Sequence, residues 1–179
     1  MRLTAMLAAT AAFTILTGCD SPAPGFLSVE PVATAQELAI DSALLGSWQS
    51  GDRDTVAVIR QADSGGYQIS LLSSNAVLPF QAQFFKVKDA EFLDLTPAED
   101  NDFRIPGHAV VRLWIDAATL HWAFLDSDWL KQQAAPLAAH TGDGKMQLFA
   151  PGGSVRAFIA ANGLDDKAHG DIATWQRMQ

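Results

Sequence analysis

The sequence predicts a mainly β domain of the α+β class: a curled antiparallel sheet or small barrel of about seven or eight strands, with C-terminal helices covering an edge or a mouth. Three observations carry this. Short segments alternate apolar and polar residues, as in YQISLL, HAVVRLWID and TLHWAFL. Turn chemistry separates them at close intervals, with Gly65-Gly66 and DAAT as examples. The last third loses that period and gains helical spacing. Alternation marks half-buried strands, and closely spaced strands favour a barrel or sandwich.

The elements follow in order. AQELAIDSALLG has helical spacing at Leu38, Ser42 and Leu45 and stops at Gly46. In TVAVIR, Val56 and Val58 share a face. Tyr67, Ile69 and Leu71 align after the glycine turn. LPFQAQFFKVK alternates up to Phe84, where Phe84-Phe85 shifts the phase and suggests a bulge. EFLDL is a further strand, followed by one aligning Val111, Leu113 and Ile115 and one aligning Leu120, Trp122 and Phe124. DSDWLKQQAAPLA begins with capping acids and puts Leu130, Ala134 and Leu137 on one helical face. HTGDGKMQLFA forms a hairpin, and PGGSVRAFIAANG a helix with Ser154 as its cap and Val155, Phe158 and Ile159 as its stripe. The tail adds a helical turn or two through Ile172, Trp175 and Met178.

The N-terminus has a different logic. Arg2 precedes an uncharged stretch from Leu3 to Leu16, the layout of a secretory signal and too short to span a bilayer comfortably. Leu16-Thr17-Gly18-Cys19 resembles the lipobox of bacterial lipoproteins. That resemblance implies a diacylglyceryl thioether on Cys19, cleavage between Gly18 and Cys19, and a membrane anchor of two or more acyl chains. Asp20 resembles the sorting residue that keeps lipoproteins in the inner membrane. The expected organisation is a signal over residues 1–18, a lipidated N-terminus, tether and short helix over 19–43, and a β-rich domain over 44–179. The expected address is the bacterial cell envelope, facing the periplasm.

Composition limits the partners. The chain has 12 basic and 20 acidic residues, and loses one arginine with the signal. Such an acidic body is a poor match for nucleic acid phosphates or for anionic lipid heads. Cys19 is the only cysteine, so a lipidated chain has no disulfide, thiol nucleophile or cysteine zinc site. The fold must rest on its apolar core.

Gly46-Ser47-Trp48 resembles the Gly-x-Trp that opens the first strand of lipocalins and related calycin barrels. The resemblance implies a small lipocalin-like barrel with Trp48 packed at its floor against a basic residue from a late strand, for which Arg112 and Arg156 are the candidates. The longer pattern LLGSWQS, FFKVKDAEFLDLTPAE and HAVVRLWIDAATLHWAFLDSDWL is similar to a group of small bacterial β proteins, often lipoproteins, without established activity.

Candidate chemistry is sparse. His108, His121, His140 and His169 show no metal-ligand spacing. His108 and His121, or His121 and Arg112, could be cross-strand neighbours. Glu99, Asp100 and Asp102 lie in a loop without a calcium-loop pattern, and Asp126 and Asp128 suit a helix start. No serine elbow, phosphate loop or dinucleotide fingerprint occurs. No cofactor, catalytic residue or metal ligand is assigned, and a non-enzymatic role is expected. The strand aromatics Trp48, Phe84, Trp122 and Phe124 either fill the interior or line a cavity. The leading expectation is an envelope module that binds a protein partner; the alternative is a lipocalin-like carrier of an apolar ligand.

Overall fold

The computed structural model describes residues 24–34, 40–98, 107–142 and 145–179. Its centre is a closed antiparallel barrel of eight strands, the architecture expected of a lipocalin-like barrel. A three-stranded sheet lies outside it. The chain begins there with β1 (Phe26–Ser28). It then builds β2 (Gly46–Ser50), β3 (Thr55–Gln61), β4 (Tyr67–Ser73), β5 (Val77–Val87), β6 (Ala90–Pro97), β7 (Ala109–Asp116) and β8 (Thr119–Phe124). Helix α1 (Ser127–Gln133), the hairpin β9 (Ala139–Gly142) and β10 (Lys145–Leu148), and helix α2 (Gly152–Asn162) follow. Strand β11 (Ala173–Arg177) closes the barrel by pairing with both β8 and β2.

Alternation decides which side chains face inward. Trp48, Ala57, Ile59, Ile69, Phe80, Phe84, Leu93, Val111, Leu113, Leu120, Phe124 and Trp175 share one buried cluster inside the barrel. A second cluster lies against the outer wall. There Phe85, Val87, Phe92 and Val110 meet Phe26, Val32, Leu130, Leu148, Val155 and Ile159. The two helices therefore cover the wall rather than an edge or the mouth, since a closed barrel has no edge to protect.

Double-sided burial explains why Phe84-Phe85 misleads. The β5–β6 register runs unbroken from Phe80↔Pro97 to Val87↔Ala90, so there is no bulge. Phe84 points in, and Phe85 points out to stack on Phe92 with ring centroids 5.4 Å apart. The tail is also corrected: residues 173–177 form a strand, not helical turns. Ala173 and Trp175 alternate inward, and two neighbouring strands supply the hydrogen bonds that a short helix would make internally.

Both helices occur where expected, with one change of cap, but α1 stops at Gln133, and Ala135–Leu137 form a separate 3₁₀ turn containing Pro136, which ends the α-helical pattern. Asp126 Oδ1 accepts from the amides of Asp128 and Trp129 at 3.0 and 2.7 Å, opening α1 as its position suggested. Ser154, in contrast, lies inside α2, whose N-cap position is Pro151. Glu30 instead accepts from the Gly152 amide at 3.3 Å. Gly152 is needed there because a Cβ would sit 1.7 Å from the Pro31 carbonyl oxygen. In the helical reading of AQELAIDSALLG, residues 35–39 lie outside the described residues, and Ser42–Leu44 form a single 3₁₀ turn.

Within the stretch expected to be a tether, residues 26–34 are docked on the barrel. Ser28 and His108 exchange two backbone hydrogen bonds of 2.8 Å. Asp94, only 3% exposed, faces outward from β6 beneath this strap. Its Oδ2 accepts from the Val32 and Ala33 amides at 2.7 and 3.0 Å. Its Oδ1 is 2.8 Å from His108 Nδ1, and Thr96 Oγ1 is 3.1 Å from the same nitrogen.

Candidate ligand cavity

Strand order gives the barrel two unlike ends. One end carries the starts of β2, β4, β6 and β8 and the finish of β11. Residues 40–45 cross it as a plug. Trp48 Nε1 donates to the Leu44 carbonyl at 2.9 Å. The Tyr67 hydroxyl accepts from the Asp41 amide at 2.6 Å, and burial pushes this phenol's pKa above its ordinary value.

The same end holds the basic residue that the Gly-x-Trp resemblance implied. It is Arg177, not Arg112 or Arg156. Its guanidinium carbon lies 4.2 Å from the centre of the fully buried Trp48 ring. It donates to the Leu45 carbonyl at 2.9 Å and to the Ala43 carbonyl. Arg112 lies 5.7 Å over Trp114, and Arg156 lies 5.3 Å over Phe85, both in the outer environment. The period-two spacing of Ala173, Trp175 and Arg177 was the signal for this position, hidden by an equally good helical spacing in the tail.

Arg177 is itself exposed, so its cation–π contact is worth about 0.5–1 kcal/mol, with the two carbonyl bonds adding to it. Arg177→Ala should therefore lower stability by about 1–2 kcal/mol in urea denaturation. Arg177→Lys should recover part of the loss, because charge is kept and the two-pronged donor is not.

Above the plug lies a cavity of about 80 Å³. Its lining is formed by Leu44, Ala57, Ile59, Ile69, Leu71, Phe80, Leu93, Leu95, Val111, Leu113, Leu120, Trp122, Phe124 and Trp175. All are apolar or aromatic, and no titratable side chain is among them. Trp122 meets Phe124 edge-on at 5.4 Å and Trp175 at 6.0 Å, giving one aromatic wall. Leu44 of the plug, Phe80 of β5 and aliphatic side chains from β3, β4, β6, β7 and β8 form the rest. Leu71 and Leu95 are only partly buried and lie toward the opposite end, which is the mouth.

Of the four aromatics singled out in the sequence, Trp122 and Phe124 line this cavity. Trp48 and Phe84 belong to the same interior cluster but not to the lining. Trp175 was missed with the rest of β11. Cys19, Gly18 and Asp20 lie outside the described residues, as do Glu99, Asp100 and Asp102.

The polar groups lie elsewhere. At the mouth, Ser50 Oγ donates to Asp52 Oδ1 at 2.5 Å. That bond, helped by the Asp54 amide, holds the Asp52 carboxyl below its ordinary pKa. His121 pairs with Trp114 in register and stacks on it at 5.2 Å; it is thus neighbour to neither His108 nor Arg112. Among the described residues, no group of three His, Cys, Asp or Glu side chains converges as a metal site.

His169 stands apart. Neither ring nitrogen makes a hydrogen bond of good geometry, although the Gly163 and Phe124 carbonyls lie near the ring. Burial lowers its pKa from 6.5, and the Arg112 charge lowers it further. The folded state therefore holds this ring neutral, while the unfolded chain takes up a proton below about pH 6.5. Its contribution is full above that value and is lost as pH falls toward the folded pKa. Thermal melts of His169→Leu should accordingly show a weaker loss of stability between about pH 7 and 5 than the parent protein.

The chain matches no protein-family profile, and no curated protein or solved structure is significantly similar to it.

Proposed function

We propose that the protein is a non-enzymatic binder of a slender apolar ligand, held inside the barrel and admitted through the mouth. The observation that carries this reading is the wholly apolar cavity in a closed barrel. A solid interior would have favoured the partner-binding module that the sequence put first. The carrier reading is favoured instead, because side chains lining an apolar hole forgo packing contacts until it is filled. Its lining lacks any acid, base or nucleophile, so it is suited to holding a molecule rather than transforming one.

Volume limits the ligand. About 80 Å³ is roughly half of the ~150 Å³ cavity that suffices for benzene. It is also well below the ~300 Å³ at which drug-sized ligand sites begin. The fit is to one hydrocarbon chain end, with any polar head left at the mouth near Ser50. Attachment to an envelope membrane through acyl chains on Cys19, suggested by Leu16-Thr17-Gly18-Cys19, is part of the same proposal.

The test uses a bromine-tagged fatty acid, 12-bromododecanoic acid, added to the purified protein. Saturable quenching of tryptophan emission is expected, and it should diminish in Trp122→Phe. Quenching that rises linearly without saturation, as collision from solvent gives, would overturn the reading.

A further inference from the structure

We infer that the barrel mouth is apposed to a lipid bilayer, with the β4–β5 hairpin tip inserted into it, so that the cavity opens toward lipid rather than water. This rests on the acyl-anchor reading of Cys19 and extends the ligand reading of the cavity.

Four observations converge. First, the mouth end carries an apolar rim. Leu72, Val77 and Ile172 are 37%, 61% and 56% exposed. Leu72 and Val77 are cross-strand partners at the tip of β4–β5, and Val56 continues their row on β3. Ile172 immediately precedes β11, whose first residue pairs with Trp122 of the cavity wall. Isolated exposed apolar residues are ordinary, but three at the ends of strands around one opening form a localised feature.

Second, residues 64–85 contain no Asp, Glu, Lys, Arg or His, in a chain whose net charge is −8. Strands β4 and β5 up to Phe85 thus present no charge to be stripped of water on entering a bilayer, and the tip joining them, Ser74-Asn75-Ala76, is polar but uncharged.

Third, the cavity is continuous in chemistry with this rim. Leu71 lines the cavity, its neighbour Leu72 points outward, and Leu71 pairs with Leu78 one step inside Val77. A chain end leaving the cavity would meet apolar side chains on that side of the mouth.

Fourth, the anchor arrives at the same end. Gly25 is packed so tightly on the finish of β8 that an added Cβ would lie 2.1 Å from the Leu125 carbonyl oxygen. Residue 25 is therefore fixed at the mouth end of the barrel, across the ring of strands from the β4–β5 tip. Cys19 is five residues before Pro24, a reach of at most roughly 18 Å. A lipidated Cys19 would hold the mouth, not the plugged floor, next to the membrane.

Asp52, Asp54, Asp126 and Asp171 also lie toward this end, with Arg53 between the first two, so the described charges there are acidic in balance. They set the kind of lipid: zwitterionic headgroups are accommodated, whereas an anionic surface is repelled.

The experiment uses the full lipidated chain reconstituted in phosphatidylcholine vesicles. A lipidated Cys19 has no thiol, so Asn75→Cys places a unique label, an environment-sensitive NBD fluorophore, at the exposed hairpin tip. Ala118→Cys places the same label at the opposite end, in the β7–β8 turn. The label at 75 should shift to the blue and be quenched several-fold more by brominated lipid than the label at 118. Leu72→Ser combined with Val77→Ser should reduce that quenching while leaving bromododecanoate binding intact, since both side chains face away from the cavity. Weaker insertion is expected in vesicles rich in phosphatidylglycerol. Equal, water-like emission from both labels would overturn the proposal. An intact mass showing an unmodified Cys19 would also overturn it, and neither result touches ligand binding, which the fatty-acid titration reads separately.

Discussion

Replacing Asp94 with alanine is expected to lower the unfolding free energy by about 2–6 kcal/mol, because each of the two buried strap amides left unsatisfied costs about 1–3 kcal/mol. The carboxylate is 3% exposed and serves three donors or contacts at once: the Val32 amide, the Ala33 amide and His108 Nδ1. Alanine leaves all three without this partner, in a place that water reaches poorly. Typical domains have only about 5–15 kcal/mol in total, so the loss should be conspicuous in guanidinium denaturation. Its location is also diagnostic. Hydrogen exchange should accelerate first at Val32 and Ala33, whose amides depend on Asp94, while the strand amides of β3 and β4 stay protected. Asp94→Asn should cost less, since its amide oxygen can still accept the strap's two N–H groups. Equal stability of the alanine variant and the parent would mean that the strap is held by its apolar contacts alone.

Filling the cavity should have effects of opposite sign on stability and binding. Ala57 is 3% exposed, lies between Trp48 and Leu71 in register, and lines the cavity. Ala57→Leu adds three carbons to a space of about 80 Å³. At about 0.8 kcal/mol per buried CH₂, the gain reaches about 2.4 kcal/mol if the new side chain settles without strain. Binding of bromododecanoic acid should weaken by at least about tenfold, corresponding to 1.4 kcal/mol or more of lost interaction. A stabilised variant with unchanged affinity would place the ligand elsewhere. A destabilised variant would show that the lining cannot accept the extra volume, as overpacked cores do not.

Sequence periodicity revealed the parts of this fold whose two faces see different surroundings. Tyr67, Ile69 and Leu71, then Val111, Leu113 and Ile115, then Leu120, Trp122 and Phe124 each have one wet or half-wet face, so the alternation survives in the residue types. Where the outer wall is also covered, the alternation disappears, and Phe84-Phe85 looks like a broken strand while being a regular one. The closing strand was hidden for another reason. Its partners lie far away in the chain, as Arg177↔Trp48 shows, and no local pattern records them. The candidate site was legible to the same extent. Trp122 and Phe124 announced the aromatic wall, but Trp175 and Arg177 were lost with their strand. Asp94 and His108 looked like ordinary polar residues because the strap that buries Asp94 is joined to it across 62 positions of sequence.

The double pairing of β11 also dictates an order of events during biogenesis. Until residues 173–177 have been synthesised and delivered, β2 and β8 each present an unpaired edge, and the Trp48 ring lacks its guanidinium cover. Such edges are templates for association between nascent copies. Closure of the barrel therefore waits on this one strand, and both edges stay open until it docks.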